Sequence, residues 1–191
     1  MPAMDSEKKR IITLTGLPGS GKSSTANALA KILGYQRFSS GDFARRVATN
    51  HGISIEEWNK KAETLPELDS EVDEAVRKAG DESDLVIDSR TAFHWIPQAF
   101  KVFLTLDSHI AAERTFKQIQ AGERSTQSAA TVEELRRNTE ERITSEQARY
   151  KKLYNLDYMD QSQYNLVVDT GDKTIQGTAG IIADAYRKWL K

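Results

Sequence analysis

The stretch Gly16-Leu17-Pro18-Gly19-Ser20-Gly21-Lys22-Ser23 constrains this chain more than any other feature in it. Two glycines five positions apart, followed by Lys-Ser, form a phosphate-binding loop. Glycine lets successive backbone N–H groups turn inward and cradle phosphate oxygens. A helix opening at Lys22 aims the positive end of its dipole at the same anion. Lys22 would reach the β- and γ-phosphate oxygens of a nucleoside triphosphate, and the Ser23 hydroxyl would ligate Mg²⁺. The candidate ATP-binding residues are therefore Gly16, Pro18, Gly19, Ser20, Gly21, Lys22, Ser23 and Ser24. The context the loop needs is present, because an apolar run precedes it and a helical pattern follows.

That loop belongs between a strand and a helix of a parallel sheet, and the rest of the chain repeats the same alternation. Apolar runs predict strands over Ile11–Thr15, Tyr35–Phe38, Leu85–Asp88, Val102–Leu106 and Leu166–Asp169. Helical patterns predict Lys22–Leu33, Leu68–Ala79, Ser108–Ala121 and Thr174–Leu190. Capping boxes at Ser54 to Glu57 and Thr131 to Glu134 open a short helix and a long one that reaches about Tyr154. The fold class expected is α/β, a phosphate-loop NTPase core with a five-stranded parallel sheet flanked by helices. Residues 40–80 are predicted as a helical insertion between the second and third strands. Residues 120–133, polar and small, are predicted as a flap between two helices.

Composition closes off several alternatives. The 191 residues suit one domain, and 38% hydrophobic content supplies one core. A formal net charge of −1 gives no global reason to expect nucleic acid or an anionic membrane as partner. There is no cysteine, so disulfides, thiolate metal sites and a cysteine nucleophile are excluded. His51, His94 and His109 are scattered without ligand spacing, so no structural metal site is expected. The segment MPAMDSEKKR has no apolar stretch, and a cytoplasmic protein is expected. A guanine-reading Asn-Lys-x-Asp is missing, since Asn59-Lys60-Lys61-Ala62 lacks the aspartate. A small kinase is what remains.

A kinase whose acceptor is itself a phosphate must hold two polyanions together, and arginine binds phosphate bidentately. Arg45 follows the second strand in SSGDFARR, and Arg90 follows the third in LVIDSR. Both strand ends belong to the ligand crevice of a parallel sheet. Asp88 stands where a carboxylate could hold Mg²⁺. Arg142, Glu146 and Arg149 share one face of the long helix at spacings of four and three. The plain alternative for that trio is a solvated ladder of ion pairs. Arg114 and Arg124 flank the flap.

GLPGSGKSS, SSGDFARR, HGISIEEWNKKAETLPELDSEVD, LVIDSR and the Arg142/Glu146/Arg149 helix running into RYKKLYNLDYMD together resemble cytidylate kinases. The likeness is to the short archaeal form within the adenylate-kinase-like nucleoside monophosphate kinases, and it spans Ile11 to about Thr170. It implies a core at 10–39, 81–117 and 136–191, a nucleotide-binding insertion at 40–80 and a lid at 118–135. It implies that Ser40, Arg45 and Arg90 meet the acceptor nucleotide, with Arg142 and Arg149 near the transferring and acceptor phosphates. Glu146 would approach the acceptor ribose or base, and Arg114 and Arg124 would close over ATP. The implied reaction is ATP-dependent, Mg²⁺-assisted phosphorylation of CMP or dCMP by a monomer. The chain departs from the family pattern at Asp88-Ser89-Arg90, where many relatives read Glu-Gly-Arg, and at Ser39, Lys117 and Gln118.

Base selection stays open at this level. Asp69, Asp73 and Arg77 have chemistry suited to cytosine, and the plain alternative is a solvent-facing acidic helix. Trp58 and Trp95 could stack on a base or serve as packing. Two other functions stay in play: a kinase for AMP, UMP or a small metabolite, and a nucleotide-dependent switch without phosphoryl transfer.

Overall fold

The computed structural model describes residues 8–122 and 129–191. Five strands form one all-parallel sheet: β1 (Ile11–Gly16), β2 (Gln36–Ser39), β3 (Leu85–Asp88), β4 (Phe100–Thr105) and β5 (Leu166–Asp169). Their spatial order is β2-β3-β1-β4-β5, so the strand carrying the glycine loop is central. Every residue of β1 is buried, which is why it reads as an unbroken apolar run and not as an alternation.

Among the described residues eight α-helices join and cover the strands: α1 (Lys22–Leu33), α2 (Ser40–Asn50), α3 (Ile55–Ala62), α4 (Pro66–Ala79), α5 (Ala92–Trp95), α6 (Ser108–Gln120), α7 (Val132–Tyr154) and α8 (Ile175–Leu190). Helices α1 and α8 cover one sheet face, where Leu29, Ile182 and Tyr186 pack with Ile12, Leu14, Val102 and Leu104. On the other face Val76 of α4 and Ile96 meet Ile11 and Ile87. A third cluster sets Tyr150 of α7 and Tyr158 against Phe93 and Phe103. The insertion has a small core of its own, Val47, Ala48 and Trp58, lined by Phe43, Ile55, Leu68 and Val72. Trp58 is therefore packing, as its plain reading had it.

Helix α5 has no counterpart among the expected helices, and the other differences lie at element ends. Strand β4 begins at Phe100, two residues early, because Phe100 pairs with Ile12 in the parallel register. Helix α4 begins at Pro66, whose fixed φ and missing N–H suit a first turn. Helix α2 starts directly after β2, capped by the Ser39 hydroxyl, which accepts from the Asp42 N–H at 3.2 Å. That contact gives Ser39 a use at its departure from the family pattern. The N-cap half of both predicted capping boxes forms: Ser54 accepts from the Glu57 N–H and Thr131 from the Glu134 N–H, each at 3.1 Å, while the Glu134 carboxylate accepts from the Ala130 N–H. The expected lid, 118–135, includes the end of α6 and the first turn of α7. Its residues 123–128, with Arg124, lie outside the described residues. Among the described residues no helix is long and apolar enough to cross a membrane.

Candidate active site

The site opens at the C-terminal ends of β1, β2 and β3, where a parallel sheet leaves its crevice. Its floor is the glycine loop. Gly19 and Gly21 have φ of +82° and +74°, a region that side chains disfavour. A Cβ on Gly19 would also lie 2.9 Å from the Ala111 Cβ. Gly21 is the N-cap of α1 and supplies no side-chain cap. By contrast α2, α3, α6, α7 and α8 are capped by Ser39, Ser54, Asp107, Thr131 and Thr174. The first N–H groups of α1 are thus left without a side-chain acceptor, beside a loop folded for phosphate. Ser20 is buried, and its hydroxyl has no hydrogen-bond partner among the described residues. These features fit a polyphosphate bound to the loop.

Asp88, at the end of β3, is the hub of the charged groups. Its carboxylate, 2% exposed, accepts from Lys22 Nζ, from Ser23 Oγ at 2.7 Å and from Arg37 Nη2 at 3.2 Å. Burial alone would raise this carboxyl, but Lys22 and the hydrogen bonds from Lys22, Ser23 and Arg37 hold it below its usual range. Burial lowers the Lys22 ammonium, against the pull of Asp88. Ser23 and Asp88 place two hard oxygens side by side, a donor set that suits Mg²⁺ carried on a triphosphate. Among the described residues there is no cluster of three or more His, Cys, Asp or Glu able to hold a metal by itself.

The facing wall is cationic. Arg45 of α2, Arg90 beyond β3 and Arg142 of α7 line the same cleft as Gly16, Pro18, Gly19, Gly21, Lys22, Ser23, Ser24 and Ser40. Each of the three arginines already has a carboxylate. Arg45 donates to Asp42. Glu146 lies behind Arg90 and Arg142, with Arg90 Nε at 2.7 Å and Arg142 Nε at 2.9 Å. Burial would raise the Glu146 carboxyl, but Arg90 and Arg142 hold it low, and Arg90 in turn is held above its ordinary value. The ladder of ion pairs that is the plain alternative for Arg142, Glu146 and Arg149 therefore forms only between Arg142 and Glu146, and Arg142 also lines the cleft.

Two candidates point elsewhere. Arg149 pairs with Asp69 of α4 at 3.2 Å, joining α7 to the insertion. Arg114 donates to the carbonyls of Thr170 and Gly171 at 3.1 and 2.7 Å, beside the turn after β5. The expectation of a solvent-facing acidic helix fails at Asp69 and Asp73, while Glu67, Glu71 and Glu74 of α4 are exposed. Asp73 is buried and accepts from Thr91 Oγ1 at 2.9 Å and from the Tyr154 hydroxyl. Burial pushes the Asp69 carboxyl up to about 6, with Asp73 and Glu146 adding to the rise and Arg149 opposing it. Arg77 stacks 3.7 Å from the Trp95 ring, so Trp95 too is engaged in packing. Sequence reasoning passed over Arg37, and over Leu17, Ser39, Gly41, Ser89 and Gln118 as residues lining the cleft. The signal for Arg37 was a lone cation inside a four-residue strand that ends at the ligand crevice.

Residues 12–145 match the family described as AAA domain. A cytidylate kinase of Methanothrix thermoacetophila is 35% identical over 177 residues, covering 93% of this chain and 98% of that one. An S-adenosylmethionine-dependent nucleotide dehydratase of Lacinutrix mariniflava is 33% identical over 182 residues, 94% of this chain but 36% of that longer one. The solved shikimate kinase of Bacteroides thetaiotaomicron superposes with a TM-score of 0.65 at 12% identity, over 93% of this chain and 98% of that one, a likeness of fold. Loop, sheet order and sequence relatives agree, and the chain belongs to the cytidylate kinase family of phosphate-loop kinases.

Proposed function

We propose that this protein transfers the γ-phosphoryl group of ATP to CMP or dCMP, yielding ADP and CDP or dCDP. One observation carries the reading: an uncapped, glycine-built phosphate cradle faces Arg45, Arg90 and Arg142 across a single cleft of about 240 Å³. A nucleotide switch needs cations for one polyanion, and this cleft supplies them for two. The 35% identity to a cytidylate kinase along nearly the whole chain supports a cytidine monophosphate as the second.

An acceptor phosphate oxygen forms the new bond to the γ-phosphorus as the bond from that phosphorus to the bridging oxygen of ADP breaks. The acceptor is already anionic near neutral pH, so the reaction needs no general base. This agrees with an Asp88 whose carboxylate is taken up by three donors. Lys22 leaves Asp88 to meet the β- and γ-oxygens. Ser23 and Asp88 would hold Mg²⁺, whose charge offsets that of the phosphates. Arg45 and Arg90 clamp the acceptor phosphate beside Ser40, and Arg142 meets the group in transfer. Arg149 and Arg114 serve from outside the cleft, steadying the insertion and the turn after β5.

The test is ADP release from Mg²⁺-ATP with CMP, dCMP, UMP, AMP or GMP and a no-acceptor control. Turnover confined to CMP and dCMP is expected. Preference for another monophosphate overturns the base assignment, and acceptor-independent ADP release overturns the kinase.

A further inference from the structure

We infer that Arg37 is a positioning residue that ties the donor half of the cleft to its acceptor half. The guanidinium bridges two carboxylates that serve different ligands. Nη2 donates to Asp88 Oδ2 at 3.2 Å and Nη1 to Asp42 Oδ2 at 3.1 Å. Asp88 is otherwise held by Lys22 and Ser23 of the glycine loop, and Asp42 by Arg45 of the acceptor wall. The result is one unbroken series of alternating charge, Lys22, Asp88, Arg37, Asp42, Arg45. Both ends line the cleft, and the middle cation is 20% exposed.

Such a series redistributes when an end is claimed. A phosphate that draws Lys22 from Asp88 leaves Arg37 as the remaining full positive charge on that buried carboxylate. Arg37 then shifts its share toward Asp88 and away from Asp42. The converse holds at the other end, because loosening Asp42 turns Arg37 onto Asp88 and frees Lys22 for phosphate. An arginine suits this place because its planar fork can serve two carboxylates at once, whereas a lysine ammonium is a single point of charge. Arg37 Nε is buried without a hydrogen-bond partner among the described residues, so both contacts that hold the group come from its two terminal nitrogens. The purpose of this coupling rests on the phosphoryl-transfer reading above; its measurement does not.

The test is a double-mutant cycle read by the affinity for ADP with EDTA present, so that neither Mg²⁺ nor an acceptor enters. Arg37→Gln leaves Lys22 more firmly on Asp88 and should weaken ADP about threefold or more. Asp42→Asn turns Arg37 onto Asp88 and should tighten ADP by a similar factor. In the Arg37→Gln background, Asp42→Asn should have no effect. Arg37→Lys, which keeps the charge, should also lose the response to Asp42→Asn, and it covers the case in which the glutamine variant does not fold. An Asp42→Asn effect that is absent, reversed, or equal in both backgrounds overturns the inference. Loss of turnover on every monophosphate would overturn the proposed reaction and leave this cycle standing.

Discussion

The two sides of the cleft are made of different material. The side proposed for the donor is main chain: a loop bent through Gly19 and Gly21 and a helix whose start carries no side-chain cap. The side proposed for the acceptor is side chain: Arg45, Arg90 and Arg142 come from three distant places in the chain, each steadied by a carboxylate. A main-chain site is local, so its parts must be contiguous and its geometry is fixed by backbone torsions. A side-chain site recruits from many elements and stays in place only through a second layer of partners.

The largest effect tests whether both sides serve one reaction. Lys22→Ala and Arg142→Ala should each lower turnover roughly a thousandfold or more while thermal unfolding stays near that of the parent. Arg142→Ala leaves Glu146 paired with Arg90, and Lys22→Ala leaves Asp88 with Ser23 and Arg37. Near-normal turnover in either variant would separate that residue from the chemistry. A smaller effect separates the two materials. Gly19→Ala puts a side chain into a left-handed conformation and against Ala111, and should weaken ATP binding by about 1–2 kcal/mol while sparing the acceptor. Equal losses for both ligands would show that the two sides are not built independently.

How legible each side was in the sequence follows from the same contrast. The loop, the central strand and the helix after it could be read directly, because eight consecutive residues carry the whole geometry. The N-caps at Ser54 and Thr131 were legible for the same local reason. Arg45, Arg90 and Arg142 could be nominated by their places after strands and on a helix face. Their partners could not: Asp42 and the double pairing of Glu146 depend on which side chains the fold brings together, as does the bridge from Arg37 to Asp42 and Asp88. Asp69 and Asp73 looked like surface residues because α4 has an acidic face. In the structure these two carboxylates meet Arg149 and Tyr154 of α7, while Glu67, Glu71 and Glu74 stay exposed. No periodicity within α4 encodes where α7 will pass.

The smallest predicted effect falls at that contact. The Asp69 carboxyl, about 6 in the folded protein, lies above its usual range. A carboxyl raised by folding favours the folded state most when protonated. Its contribution therefore declines as pH rises from roughly 4 to roughly 7. Asp69→Asn should flatten that part of the stability profile, as read by thermal unfolding at about pH 5 and about pH 7.5. An unchanged slope would show that Asp69 titrates in the open, and that the insertion and α7 are held by other contacts.

The pairing of every acceptor-side arginine with a carboxylate has a consequence for selectivity against bystander ions. Inorganic phosphate, sulfate or chloride meets guanidinium groups whose charge Asp42 and Glu146 already offset, so a loose anion gains little there. A nucleotide brings a sugar and a base whose own contacts hold its phosphate at the site, so its binding becomes favourable through effective concentration. The cleft thus carries its own counter-ions as a filter, and loose anions in solution are poor competitors for the place of the acceptor.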